Sequence, residues 1–153
     1  MYSKDEAAKL KQEFWTTFGQ YLALEHSSEG LRVNWVNYKT GIKHLHFKME
    51  ADGKKARIGI EIAHQDAGIQ ELLFEQFKEF KVILADYLKE EWLWELHTTD
   101  EYGKTITRIS TSLTPASVFN RQDWPALISF LKPRIIAMDA FWNDVKDSFH
   151  LFH

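Results

Sequence analysis

The sequence predicts one α+β domain over residues 1–153, an antiparallel sheet of two hairpins with helices packed on it, in the order α-β-β-β-α-β-β-α. Three observations predict it. Residues 42–64 alternate apolar and polar side chains on either side of Asp52-Gly53, the strongest short-range hairpin signal. Residues 92–111 alternate in the same way around a loop that contains Tyr102-Gly103. Apolar residues recur at helical spacing before, between and after these stretches.

Residues 3–26 form the first predicted helix. Ser3 followed by Glu6 is a capping-box signal, and Leu10, Phe14, Phe18, Tyr21 and Leu22 make the buried stripe. Residues 33–38 are rich in β-formers and predict a strand, which Thr40-Gly41 closes. In the hairpin, Asp52 and Gly53 are expected to form a two-residue turn with positive φ at both. Ala51 then pairs with Lys54, Met49 with Ala56, Phe47 with Ile58, Leu45 with Ile60 and Lys43 with Ile62, on the core face. The other face pairs Glu50 with Lys55, Lys48 with Arg57, His46 with Gly59 and His44 with Glu61. Lys48 opposite Arg57 puts like charges across the ladder. Either the long side chains splay into water, or an acid such as Glu50 or an anionic partner meets them. Gly59 within a strand marks a bulge or a close backbone approach.

Asp66 opens the second helix, with a stripe of Ile69, Leu72, Leu73, Phe77, Phe80, Ile83, Leu84, Tyr87 and Leu88. Residues 92–97 are the next strand, with Trp92, Trp94 and Leu96 on its core face, and residues 105–111 are its partner. Asp123 before Trp124-Pro125 is expected to serve as an N-cap, with proline in the first turn of the last helix. Pro133 inside that helix predicts a kink or a division into two.

The chain has enough residues, and enough aromatic residues (six Trp, eleven Phe and five Tyr), for a core that needs no staple. It has no Cys, which excludes disulfides, thiolate chemistry and Cys-based zinc sites and fits a reducing cytoplasm. The charged N-terminus has no signal-peptide core, and no run approaches the roughly 18 apolar residues of a membrane span. The expected location is cytoplasmic, with no membrane partner. A net charge of −3 supplies no global attraction to nucleic acid. The charges are segregated, however. Residues 32–57 carry Arg32, Lys39, Lys43, Lys48, Lys54, Lys55 and Arg57 against Glu50 and Asp52, while residues 66–91 are acidic. That asymmetry is either internal complementarity or a basic binding face.

Phe14-Trp15, the run Asn34-Trp35-Val36-Asn37-Tyr38-Lys39-Thr40-Gly41-Ile42-Lys43, Phe47, Glu61, Phe77, Trp92-Leu93-Trp94 and Trp124-Pro125 resemble an uncharacterised bacterial and archaeal family known only as a domain of unknown function. The resemblance covers nearly the whole chain, and the Asn-Trp-x-Asn-Tyr-Lys-Thr-Gly run is its most specific part. In some relatives the domain is appended to a restriction-endonuclease-like nuclease domain. The resemblance therefore implies a setting of nucleic-acid processing or defence, and it implies no catalytic residues.

The predicted element order invites comparison with the restriction-endonuclease core, whose site needs an acid on one strand and Glu-x-Lys on the next. Here Glu61-Ile62-Ala63 puts Ala63 at the lysine position, and Glu50 or Asp52 would be a distant partner. A degenerate or cryptic metal-dependent nuclease-like enzyme therefore ranks last. His44, His46 and Glu61 are weak metal candidates: the two histidines are expected to share a strand face, with Glu61 opposite His44. The competing expectation is a polar face with a His44–Glu61 pair. No phosphate-loop, dinucleotide or nucleophile-elbow motif occurs, and no cofactor is expected. Trp35 and Tyr38 beside Arg32, Lys39 and Lys43 combine aromatic and basic residues as single-strand binders do, unless Trp35 is core.

The leading expectation is a non-catalytic accessory or binding domain that meets nucleic acid through Lys39, Lys43, Lys48, Lys54, Lys55 and Arg57, with Trp35 and Tyr38. The alternative is a protein-interaction module, a homodimer formed through Phe141, Trp142, Phe149 and Phe152.

Overall fold

The computed structural model describes residues 3–152. Helix α1 (Lys4–Leu22) starts at the expected cap, where the Glu6 N–H donates to Ser3 Oγ at 3.1 Å. It ends at Leu22, short of His26, and buries Phe14, Phe18 and Leu22 while Tyr21 stays exposed. Residues 33–38 form no strand, which corrects the predicted order. Asn34 Oδ1 accepts the Asn37 N–H at 3.2 Å and turns the chain there. The apolar residues of this segment serve a loop packed on the core.

Strands β1 (Leu45–Ala51) and β2 (Ala56–Ile62) form the first hairpin. Its two faces are as expected, but its register differs by two residues. Ala51 pairs with Ala56, Met49 with Ile58, Phe47 with Ile60 and Leu45 with Ile62. The cause lies in the turn. Asp52 Oδ1 accepts the N–H groups of both Lys54 and Lys55, at 2.8 and 2.9 Å, and the Asp52 N–H reaches the Lys55 carbonyl. This Asx-type closure spans residues 52–55 without a positive φ at Asp52 or Gly53. A shift of two keeps each side chain on its face, so the apolar pattern does not oppose it.

Asp66 caps α2 (Ala67–Glu79), accepting from the N–H groups of Gly68 and Ile69. The predicted long helix breaks at Phe80 (φ −106°, ψ 16°), and α3 (Lys81–Leu88) follows. Leu72 and Ile83 of the expected stripe are exposed, and Phe74 is buried instead. Strands β3 (Leu93–Thr99) and β4 (Thr105–Leu113) form the second hairpin, irregular between Glu95 and Thr98, where His97 has φ 52°. Trp92 is buried, Trp94 packs against the core from its rim, and Leu96 is 38 % exposed rather than core. Helix α4 (Trp124–Val145) runs through Pro133 as one helix, not two. The Arg134 guanidinium donates to the Phe130 carbonyl at 2.9 Å, in the turn that proline disturbs.

The sheet is antiparallel, in the order β1-β2-β4-β3. This is a single α+β domain with two hairpins in one sheet. Leu45, Phe47, Ile58, Ile60, Ile62 and Ile109 pack beneath the helices with Phe14, Phe77, Phe141, Trp142 and Phe149. The other face is polar. His46, Glu61, Arg108 and Glu95 form one row of alternating character across the sheet. Gly59 does not form a bulge: a Cβ there would meet the Ile109 carbonyl oxygen and Ser110 Cβ at 2.6 Å each, so it is a close approach of neighbouring strands.

Candidate functional site

Strand β1 is an edge of the sheet. The Ala63 N–H donates to the His44 carbonyl and the Asp52 N–H to the Lys55 carbonyl, which sets the phase of its ladder. In that phase residues 44, 46, 48, 50 and 52 bond to the β2 side. Leu45, Phe47, Met49 and Ala51 therefore turn their N–H and C=O groups outward. The N-terminal half of the edge is covered: Lys39 bridges His46, and Thr40 Oγ1 donates to the Leu45 carbonyl at 2.9 Å. Beside Met49 and Ala51 the edge opens into a cleft of about 240 Å³ bordered by Lys11, Trp15 and Lys55. A second cleft of about 600 Å³ adjoins it and extends to Asn37 and Lys39. Trp15, Lys48 and Met49 line both, so the two form one groove along β1.

Ion pairs occupy the sheet face next to this groove. In the observed register Lys48 lies opposite Gly59 and Glu50 opposite Arg57, so the expected clash of Lys48 with Arg57 does not arise. Lys48 Nζ stands 3.5 Å from both Glu50 and Glu61, and Arg57 is 3.9 Å from Glu50. Partial burial works against the Lys48 ammonium, but Glu61 and Glu50 outweigh it and hold its pKa above the ordinary lysine value. Partial burial pushes the His46 imidazole below its usual value, with Glu61 opposing. At the tip, the Lys54 and Lys55 N–H bonds overcome the burial penalty on Asp52 and hold its carboxyl below the usual range.

The lysines divide accordingly. Lys48 and Arg57 are neutralised within the fold. Lys39, Lys43 and Lys54 are exposed and Lys55 is half-buried, and none has a carboxylate within ion-pair distance among the described residues. Trp35 is 3 % exposed and donates to the Glu25 carbonyl, so its ring is part of the core and offers no stacking surface.

The Asn-Trp-x-Asn-Tyr-Lys-Thr-Gly run is largely a clamp on α4. The Tyr38 hydroxyl donates to Asp139 Oδ1 at 2.5 Å, and the Trp142 indole N–H donates to the Thr40 carbonyl at 3.0 Å. Asp139, 2 % exposed, also accepts the Ser28 N–H at 2.8 Å and the Asn143 amide at 3.2 Å. Burial, then the bond to Asp139, raises the Tyr38 pKa well above the ordinary tyrosine range. Gly41 has φ 86°, which only glycine adopts without strain.

The structure sets Glu61 opposite His46 and not opposite His44. His44 precedes β1 with φ 64° and packs against His64, with ring centroids 5.3 Å apart. His64 Nδ1 accepts the Asp66 N–H at 3.0 Å, which leaves its proton on Nε2 when neutral. Among the described residues no three His, Cys, Asp or Glu side chains converge on a metal position. The late aromatic residues are also spent internally: Phe141, Trp142 and Phe149 are buried and Phe152 packs on the core, which removes the observation behind the expected dimer surface. No helix among the described residues is long and apolar enough to cross a membrane.

Sequence reasoning missed three residues. Lys11 and Trp15 are four apart on α1, beside the buried stripe, and that spacing places a cation and an aromatic ring on one helix face. Asp139 interrupts the apolar stripe of α4 between Met138 and Trp142, a mark of a polar group with buried work to do.

No curated protein matches the chain, and no solved structure matches it. A family model described as a domain of unknown function (DUF4268) matches residues 10–146.

Proposed function

We propose that this chain, which belongs to the DUF4268 family of domains of unknown function, is a non-catalytic binding domain that takes nucleic acid through the β1–β2 hairpin and the groove beside it. One observation carries the reading. Lys11, Lys39 and Lys55 line the groove, Lys43 precedes β1 and Lys54 lies in the turn after it, and none of the five has a carboxylate in ion-pair distance among the described residues. Elsewhere on that face the fold pairs its own charges, as at Lys48 and Arg57. Cations left unpaired on one rim supply the phosphate contacts on which nucleic-acid affinity rests. The resemblance to domains appended to nucleases supports the same choice of ligand.

Fluorescence anisotropy with labelled single- and double-stranded oligonucleotides over a salt series tests the proposal. The expected result is binding that weakens steeply with salt. Replacing Lys39, Lys43, Lys54 and Lys55 by Glu together weakens it by at least about tenfold and flattens the salt slope. A quadruple variant that binds as the natural chain does would sink the reading.

A further inference from the structure

The groove also has the chemistry to choose between nucleic-acid forms. We infer that it accepts a single strand in extended conformation, with one base laid on Trp15 and a neighbour against Met49 on the edge of β1; this rests on the reading of the hairpin as a nucleic-acid face. Of the six tryptophans, Trp35, Trp92, Trp124 and Trp142 are buried and Trp94 lies under the Lys81 ammonium at 5.2 Å. Trp15 is half-buried and lines both parts of the groove. Phe14 and Phe18 hold its ring by edge contacts at 5.0 and 5.7 Å, so it is pre-oriented.

Two further features fit a splayed strand. Lys11 and Lys55 line one end of the groove, together with Asp52 and Glu101, and Lys39 lines the other, so each end holds a cation with no carboxylate in ion-pair distance, among the described residues, for a phosphate beside the stacked base. Met49, half-exposed, turns its peptide donor and acceptor outward on the edge, where an unstacked base edge can bond to them, while Ala51 beside it is buried. A duplex has its bases stacked and paired internally and can present neither a face to Trp15 nor free edges to β1. It would touch only the lysines.

The experiment uses the full chain with a fluorescein-labelled oligothymidylate of about 12 nucleotides and with the same strand annealed to its complement. The expected result is single-strand binding at least about tenfold tighter than duplex binding, with quenching of tryptophan emission. Trp15→Leu should weaken single-strand binding about tenfold and remove the quenching while leaving the salt slope in place, because the phosphate contacts persist. Trp15→Phe, which keeps a ring on Phe14 and Phe18, should fall between the two, and circular dichroism confirms that both variants fold. Equal or tighter duplex binding, or unchanged single-strand affinity in Trp15→Leu, overturns the single-strand inference and leaves the lysine reading standing. Absence of salt-dependent binding to either oligonucleotide overturns both.

Discussion

Asp139 shows how one side chain fixes the placement of a loop. A carboxylate at 2 % exposure in the middle of α4 is tolerable only because it accepts from the Tyr38 hydroxyl, the Ser28 N–H and the Asn143 amide. Asp139→Ala leaves these donors without their acceptor and should cost about 3 kcal/mol in urea unfolding. Asp139→Asn, which keeps one acceptor oxygen, should cost less. Tyr38 adds a pH dependence. Its folded pKa lies above the ordinary 10.0, so its contribution is complete below pH 10 and is lost as the pH rises beyond that value, where the unfolded phenol ionises and the folded one does not. Stability measured from pH 9 to 11 should fall less steeply in Tyr38→Phe than in the natural chain. Identical slopes would show that neither burial nor the Asp139 bond raises the Tyr38 pKa in solution.

Among the elements, the sheet depends on two small features. Gly59 lets β2 and β4 approach, and its replacement by Ala would put a methyl group 2.6 Å from a backbone carbonyl. Backbone cannot swing aside, so Gly59→Ala should destabilise by about 2–3 kcal/mol, read as a lowered thermal midpoint. Wild-type melting of that variant would refute the close approach. Asp52 holds the turn with two accepted N–H bonds. Asp52→Ala should cost about 1 kcal/mol near neutral pH. The folded pKa of Asp52 is depressed, so this contribution is present above the ordinary 3.8 and is lost as the pH falls through the folded value. The natural chain and Asp52→Ala should therefore converge in stability in acid, and a constant difference down to pH 2 would contradict the capping role.

At the scale of the molecule, the two ends of the sheet differ. The β3 edge is irregular at residues 95–98, the kind of distortion that discourages strand addition, and it borders an acidic helix pair. The β1 edge is regular beyond Lys39 and bordered by unpaired lysines. The charge segregation visible along the chain thus becomes a directional surface, and the acids needed to neutralise the central cations come from the sheet itself, through Glu50 and Glu61. The lysine replacements and the Trp15 series belong to this scale, because they test a surface built by α1, the Asn34–Thr40 loop and β1 together.

The sequence by itself determined the α+β class, both hairpins, which face of β1 and β2 is buried, and the caps at Ser3 and Asp66. These follow from short-range chemistry: period-two alternation, helical spacing and side chains that bond their own backbone. The tertiary structure decided the register of the first hairpin, because a slip of two leaves the apolar pattern unchanged and only the Asp52 bonds choose between the alternatives. It decided the fate of residues 33–38, whose β-prone side chains gain more from burial against α4 than from a ladder. It also decided which aromatic ring is accessible. Trp35 and Trp15 both stand near lysines in the chain, but only the packing of α1 against the sheet edge leaves Trp15 in the groove while the core closes over Trp35. Burial depends on what folds against a residue from far along the chain, and local pattern carries no record of that.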